Sequence, residues 1–121
     1  MPKSKSSTLE EQFDFQIRAM LPAFEYETEY KAVPDRRFRW DFAFTAQSVL
    51  VEVQGGLWMK KGGHNTACGI MRDIEKHNLA TVHGYRVIYI TQKNIDDLSG
   101  ITYLRTILEG KTPQKTRRKN T

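Results

Sequence analysis

The sequence predicts an α/β fold of the α+β kind, a mixed sheet with helices packed against its faces. Three observations carry this. Residues 36–45 (RRFRWDFAFT) alternate aromatic and polar side chains with period two. Residues 49–54 (VLVEVQ) and 85–91 (YRVIYIT) are short apolar runs of strand length. Residues 9–21 repeat apolar side chains (Leu9, Phe13, Ile17, then Met20 or Leu21) at helical spacing.

Each element follows from local chemistry. Residues 1–7 read as a frayed end. Ser7 or Thr8 offers an N-cap, and Glu10 and Glu11 fall in the first turn, where acids suit the helix dipole. The helix stops at Pro22. Residues 24–33 (FEYETEYKAV) alternate loosely and predict a strand, and Pro34-Asp35 turns the chain into the aromatic strand. There Phe38, Trp40, Phe42 and Phe44 are expected on one face, against Arg37, Arg39, Asp41 and Ala43. After 49–54, Gly55-Gly56 opens a glycine-rich loop to Gly63 carrying Trp58, Met59, Lys60 and Lys61. A helix over 66–82 follows, with Gly84 where a C-terminal glycine belongs. The strand 85–91 is expected to be buried, and Asp96 and Asp97 open a last helix to Glu109. The order is α-β-β-β-α-β-α.

Length and charge bound the reading further. At 121 residues and 14.1 kDa the chain has room for one core. Residues 1–110 are expected to form it. No apolar run of roughly 18 residues is present, which excludes a membrane-spanning helix. No apolar stretch follows the Lys- and Ser-rich start, so a secretory signal is not expected. Cys68 is the only cysteine, so no disulfide can form within the chain, and a cytoplasmic setting is the simplest expectation. The net charge of +5 resides in residues 111–121, which hold Lys111, Lys115, Arg117, Arg118 and Lys119 and no acid. That basic tail is expected to be solvated and disordered, able at most to hold a polyanion loosely.

Two acids break the hydrophobic pattern. Asp41 sits inside the aromatic strand and Glu52 between Val51 and Val53. An ionised carboxylate in a core must be paired, bind a metal or reach a cleft. Only residues 45–48 join the two strands, so an antiparallel hairpin brings Asp41 and Glu52 nearly opposite each other. Two facing carboxylates repel unless a cation lies between them, and hard oxygen donors suit Mg²⁺ or Mn²⁺. Solvent-facing acids at a sheet end are the alternative. Glu10 is either a third member or an ordinary first-turn acid.

Asp41, a short turn and Glu52-Val53-Gln54 resemble the PD-(D/E)XK nuclease core, in which an Asp on one strand precedes (D/E)-X-K on the next. The wider string RRFRWDFAF, VEVQGG, GGHN, DIEKHN and GYRV is similar to a group of small phage-type and bacterial endonuclease domains. These carry R-x-DF on a strand, an ExxGG segment, a G-x-H loop and a helix with D-x-x-K-x-N. The resemblance spans residues 6–92. It implies a restriction-endonuclease-like αβββαβ core and metal-dependent hydrolysis of DNA. The shape of the DNA, branched or nicked forms included, and the number of copies, one or a homodimer, stay open. Asp41 and Glu52 would bind the metal with the Val53 carbonyl, and Glu10 would complete the site. Gln54 stands where the motif lysine belongs and would orient the attacking water. Lys76 would be the displaced cation, and His64 and Asn78 match polar positions of the group. A catalytically weak or inactive nucleic-acid-binding module on the same fold is the other reading.

The remaining candidates follow from charge. Arg37 and Arg39 are expected on the Asp41 face, and with Lys60 and Lys61 they would meet phosphates. Lys76 could instead pair with Asp73 on the helix surface. His64, Cys68, His77 and His83 follow no familiar zinc spacing.

Overall fold

The computed structural model describes residues 8–54 and 67–110. It is an α+β fold with a four-stranded mixed sheet flanked by helices. The tail, the glycine-rich loop with Trp58, Met59, Lys60, Lys61 and His64, and the first seven residues lie outside the described residues.

Helix α1 (Leu9–Met20) starts at a capping box. The Thr8 hydroxyl accepts from the Glu11 N–H at 3.1 Å, and the Glu11 carboxylate accepts from the Thr8 N–H at 3.1 Å. Three strands then form an antiparallel meander: β1 (Glu27–Tyr30), β2 (Trp40–Phe44) and β3 (Val49–Val53). Helix α2 (Ala67–Val82) crosses over to β4 (Arg86–Ile90), which pairs parallel with β3. The sheet order is β1-β2-β3-β4, so the most apolar strand is internal. No helix among the described residues is long and apolar enough to cross a membrane.

Both sheet faces are covered. On one, Phe42, Phe44, Val49, Val51 and Ile90 pack against Phe13, Ile17 and Leu21 of the α1 region and Ile101, Leu104 and Leu108 of the C-terminal helix. On the other, Ala43 and Leu50 pack with Ala80 of α2 and with Ala32, Val33 and Trp40. Double coverage explains why Val49, Leu50 and Val51 are all buried, where a half-exposed strand would alternate.

The structure corrects four expectations. Residues 36–39 are irregular, because the strand begins only at Trp40 after the turn at Pro34 and Asp35. Consequently the four aromatics do not share a face: Phe38 and Trp40 join the α2-side cluster and Phe42 and Phe44 the α1-side cluster. Glu29, beside this switch on β1, has φ 51, a left-handed backbone that interrupts the pleat. Strand β4 is an edge strand and only partly buried, with Tyr89 exposed. Finally, the last helix is two: a short α3 (Gln92–Asp96), capped by Thr91, and α4 (Ser99–Leu108). Leu98, at φ 65, makes the break, and the Asp97 carboxylate accepts from the Ser99 N–H at 2.9 Å.

Phe13 ties α1 to the sheet. It is fully buried, and its ring meets Phe42 edge-on with centroids 6.1 Å apart. Phe13→Ala should lower unfolding free energy by about 3–5 kcal/mol, read as a fall in urea midpoint.

Candidate active site

The β2–β3 register pairs Phe42 with Val51, Ala43 with Leu50 and Phe44 with Val49. Continued by one step, it sets Asp41 opposite Glu52. Their carboxylates nevertheless turn to different partners. Asp41 Oδ2 accepts from the Val53 N–H at 2.7 Å. Its carboxylate also gathers with those of Glu10 and Glu29, one oxygen of each lying within 4.8 Å of the others. Glu52 Oε2 pairs with Lys76 Nζ at 3.1 Å.

Five elements therefore build the site. Helix α1 brings Glu10 because its first turn lies at the end of the sheet where β2 begins. Strand β1 brings Glu29 through its left-handed backbone, β2 and β3 bring Asp41 and Glu52, and α2 brings Lys76. A small pocket of about 20 Å³ is lined by Trp40, Glu52, Gln54, Asp73, Lys76 and Tyr89. It has room for about one water. Three residues expected in the site from the sequence, Glu52, Gln54 and Lys76, thus line one cavity.

Hydrogen bonding, burial and like charge together set the electrostatics. A hydrogen bond shared with Asp41, partial burial, and the charges of Asp41, Glu29 and Glu52 raise the Glu10 carboxyl to about 7. Glu52 is pushed up by burial and by Asp41, against the opposing pull of Lys76. Glu52 Oε1 is buried and has no hydrogen-bond partner among the described residues. A buried carboxylate oxygen without a donor is costly unless a cation meets it. The converging oxygens of Glu10, Glu29 and Asp41, a group that does not include Glu52, are of the kind a hard divalent cation such as Mg²⁺ or Mn²⁺ takes. Val53 touches the group through its N–H.

The other candidates are placed less centrally. Arg39 is exposed and donates to the Glu29 carbonyl at 3.2 Å, beside the acids. Arg37 is exposed and precedes the strand, so neither arginine shares a strand face with Asp41. Arg36 is held away by Glu75 at 2.6 Å. Asn78 lies on the Met71, Ile74 and Leu79 groove of α2, not on the pocket with Glu52. Lys76 pairs with Glu52; Asp73 lines the same pocket.

Sequence reading missed Glu29, Trp40 and Tyr89 as members of this site. Glu29 is one of three glutamates in the loosely alternating FEYETEYKAV, and nothing in the residue types marks its backbone. Trp40 read as one aromatic among four. Tyr89 pairs in register with Glu52, and its hydroxyl lies 3.4 Å from His77 Nδ1. Burial and the charges of Glu52 and Asp73 hold the Tyr89 phenol above its ordinary range. No family model matches this sequence, and no curated protein matches it significantly.

The raised Glu10 carboxyl makes a stability prediction for metal-free protein. The folded state holds a proton that the unfolded chain releases between pH 4.5 and about 7. This contribution is therefore present in full at low pH and lost as pH rises through that window. In EDTA, the urea midpoint of Glu10→Gln should gain on the unmutated protein as pH rises from 5 to 8. A constant difference across that range would show that Glu10 does not titrate there.

Proposed function

We propose that this chain is a Mg²⁺- or Mn²⁺-dependent endonuclease that hydrolyses DNA phosphodiester bonds on a restriction-endonuclease-like core. The order α1-β1-β2-β3-α2-β4 supports the αβββαβ core that the sequence resemblance implies. One observation carries the functional reading. Gln54 occupies the position of the motif lysine, and α2 delivers a different lysine, Lys76, to 3.1 Å from Glu52.

The residues have distinct tasks. Asp41 and Glu52 supply oxygen donors, Glu10 lies beside Asp41 to complete the set, and the Val53 carbonyl is the donor that the resemblance adds. A bound divalent cation supplies Lewis acidity, which activates water at neutral pH and polarises the phosphate. The Gln54 amide can orient the attacking water by hydrogen bonding, but it brings no charge. Lys76 brings that charge, a preorganised ammonium for the transition-state oxygens. Arg37 and Arg39 lie on the approach beside β1 and β2, where contacts to DNA phosphates set position and not sequence. The described residues form one such site, so the elementary event is a nick in one strand.

The competing reading is a nucleic-acid-binding accessory module. What favours it is that Lys76 already offsets the charge of Glu52 without a metal.

Supercoiled plasmid with Mg²⁺ or Mn²⁺ decides between them. The unmutated protein should convert it to nicked circles, and EDTA should stop the reaction. Glu52→Gln should lose activity by about 10³-fold and Lys76→Ala by about 10²- to 10³-fold. Nicking that survives Glu52→Gln would place the chemistry elsewhere. DNA retained without any cleavage would select the accessory module.

A further inference from the structure

Two contacts of the Lys76 ammonium bear on its position, one with a carboxylate and one with an aromatic face. Its ammonium nitrogen lies 3.1 Å from Glu52 Oε2 and 4.9 Å from the centroid of the Trp40 ring. The side chains of Lys76 and Glu52 are only 18% and 20% exposed, and Trp40 is 1% exposed. The indole is itself fixed in orientation. Phe38 packs on it in an edge-on geometry, with ring centroids 6.4 Å apart. The same residue begins β2, next to Asp41, and sits on the α2 side of the sheet, whereas Phe42 sits on the α1 side.

This arrangement answers a mechanical problem. A lysine at position 54 would be held on the strand that carries Glu52. Lys76 reaches the same carboxylate from a separate element, on a flexible four-carbon stem. Asp73 lines the same pocket and is a competing anchor one helical turn back. Something must keep the ammonium at Glu52. A further carboxylate would do so, but it would cancel the positive charge that a phosphate needs. An aromatic face attracts the ammonium through its quadrupole and leaves the net charge intact.

We propose that Trp40 is a positioning residue for Lys76: its indole face holds the ammonium against Glu52 and so replaces the strand anchoring that Gln54 forgoes. The proposal rests on the nuclease reading for its catalytic consequence, but the contact itself can be read without cleavage.

The chain has two tryptophans, so Trp58→Phe leaves Trp40 as the sole tryptophan, excited selectively at wavelengths tyrosine does not absorb. In that background, Lys76→Met should shift the emission of Trp40. An unchanged spectrum overturns the proposal, whether or not the protein cuts DNA. On supercoiled plasmid with saturating Mg²⁺, Trp40→Leu should lower kcat about tenfold and leave KM within about twofold, and Trp40→Phe should recover part of the loss because a ring face remains. In the Lys76→Met background, Trp40→Leu should cost no further activity. Equal losses in both backgrounds would make Trp40 a packing residue only, and would overturn the proposal. Should Trp40→Leu not fold, Trp40→Phe in both backgrounds makes the same comparison, and the emission test needs no change at Trp40. Absence of cleavage by the unmutated protein would remove the nuclease reading alone; the emission shift then decides the contact.

Discussion

Asp41 and Glu52 stand in line across β2 and β3 because Phe42 pairs with Val51, Ala43 with Leu50 and Phe44 with Val49. Every one of those six side chains is buried. A slip of one residue would send each of them to the opposite face. Two packed cores, one against α1 and α4 and one against α2, therefore hold the register from both sides. The acids occupy the first positions beyond this locked segment. They are tied to the core firmly enough to be placed, and they lie near enough to the sheet end to be reached.

The cost of that placement is visible in how each charge is handled. The Glu10 carboxyl is raised beside Asp41, Asp41 takes the Val53 N–H, and Glu52 takes Lys76 on one oxygen. These compensations are incomplete. The other Glu52 oxygen has no donor among the described residues, and Glu29 adds a third carboxylate from a left-handed backbone position. A chain selected only for stability would replace such a group with apolar side chains of similar volume. A left-handed glutamate and an unmet carboxylate oxygen on neighbouring elements of one acidic group are features expected of a site that binds something.

Much of this was legible in the residues. Thr8, Glu11 and Pro22 bounded α1, and Asp41 and Glu52 stood out because a carboxylate is expensive in an apolar strand. The hairpin followed from the short link between them. What the residues hid was backbone irregularity. Period two over 36–45 implied a strand from Arg36, but pairing with β1 begins only at Trp40, so the aromatics divide between two cores. Alternation records side-chain order and says nothing of where the pleat starts. The same blindness concealed Glu29, whose position depends on φ and not on residue type, and the Leu98 break that makes two helices of 92–108.

On the proposed nuclease reading, glutamine in place of a motif lysine at position 54 changes more than one side chain. With a lysine directly after β3, the acid and the cation would move as one rigid unit. Here they belong to different elements, joined by an ion pair and an aromatic contact across the sheet–helix interface. Any motion that lifts α2 from the sheet separates Lys76 from Glu52 while leaving β2 and β3 paired. The relevant packing is modest: Ala80 is the one fully buried residue of α2 in the described chain, with Leu79 partly covered. Helices with little buried apolar surface open more readily than the core they rest on. The acids are thus set by the fully buried centre of the sheet and the cation by a helix with less buried apolar surface among the described residues. In such an arrangement, loss of the lysine from the site need not require loss of the fold. Trp40 bridges the two parts, since its backbone belongs to β2 and its ring to the α2-side core.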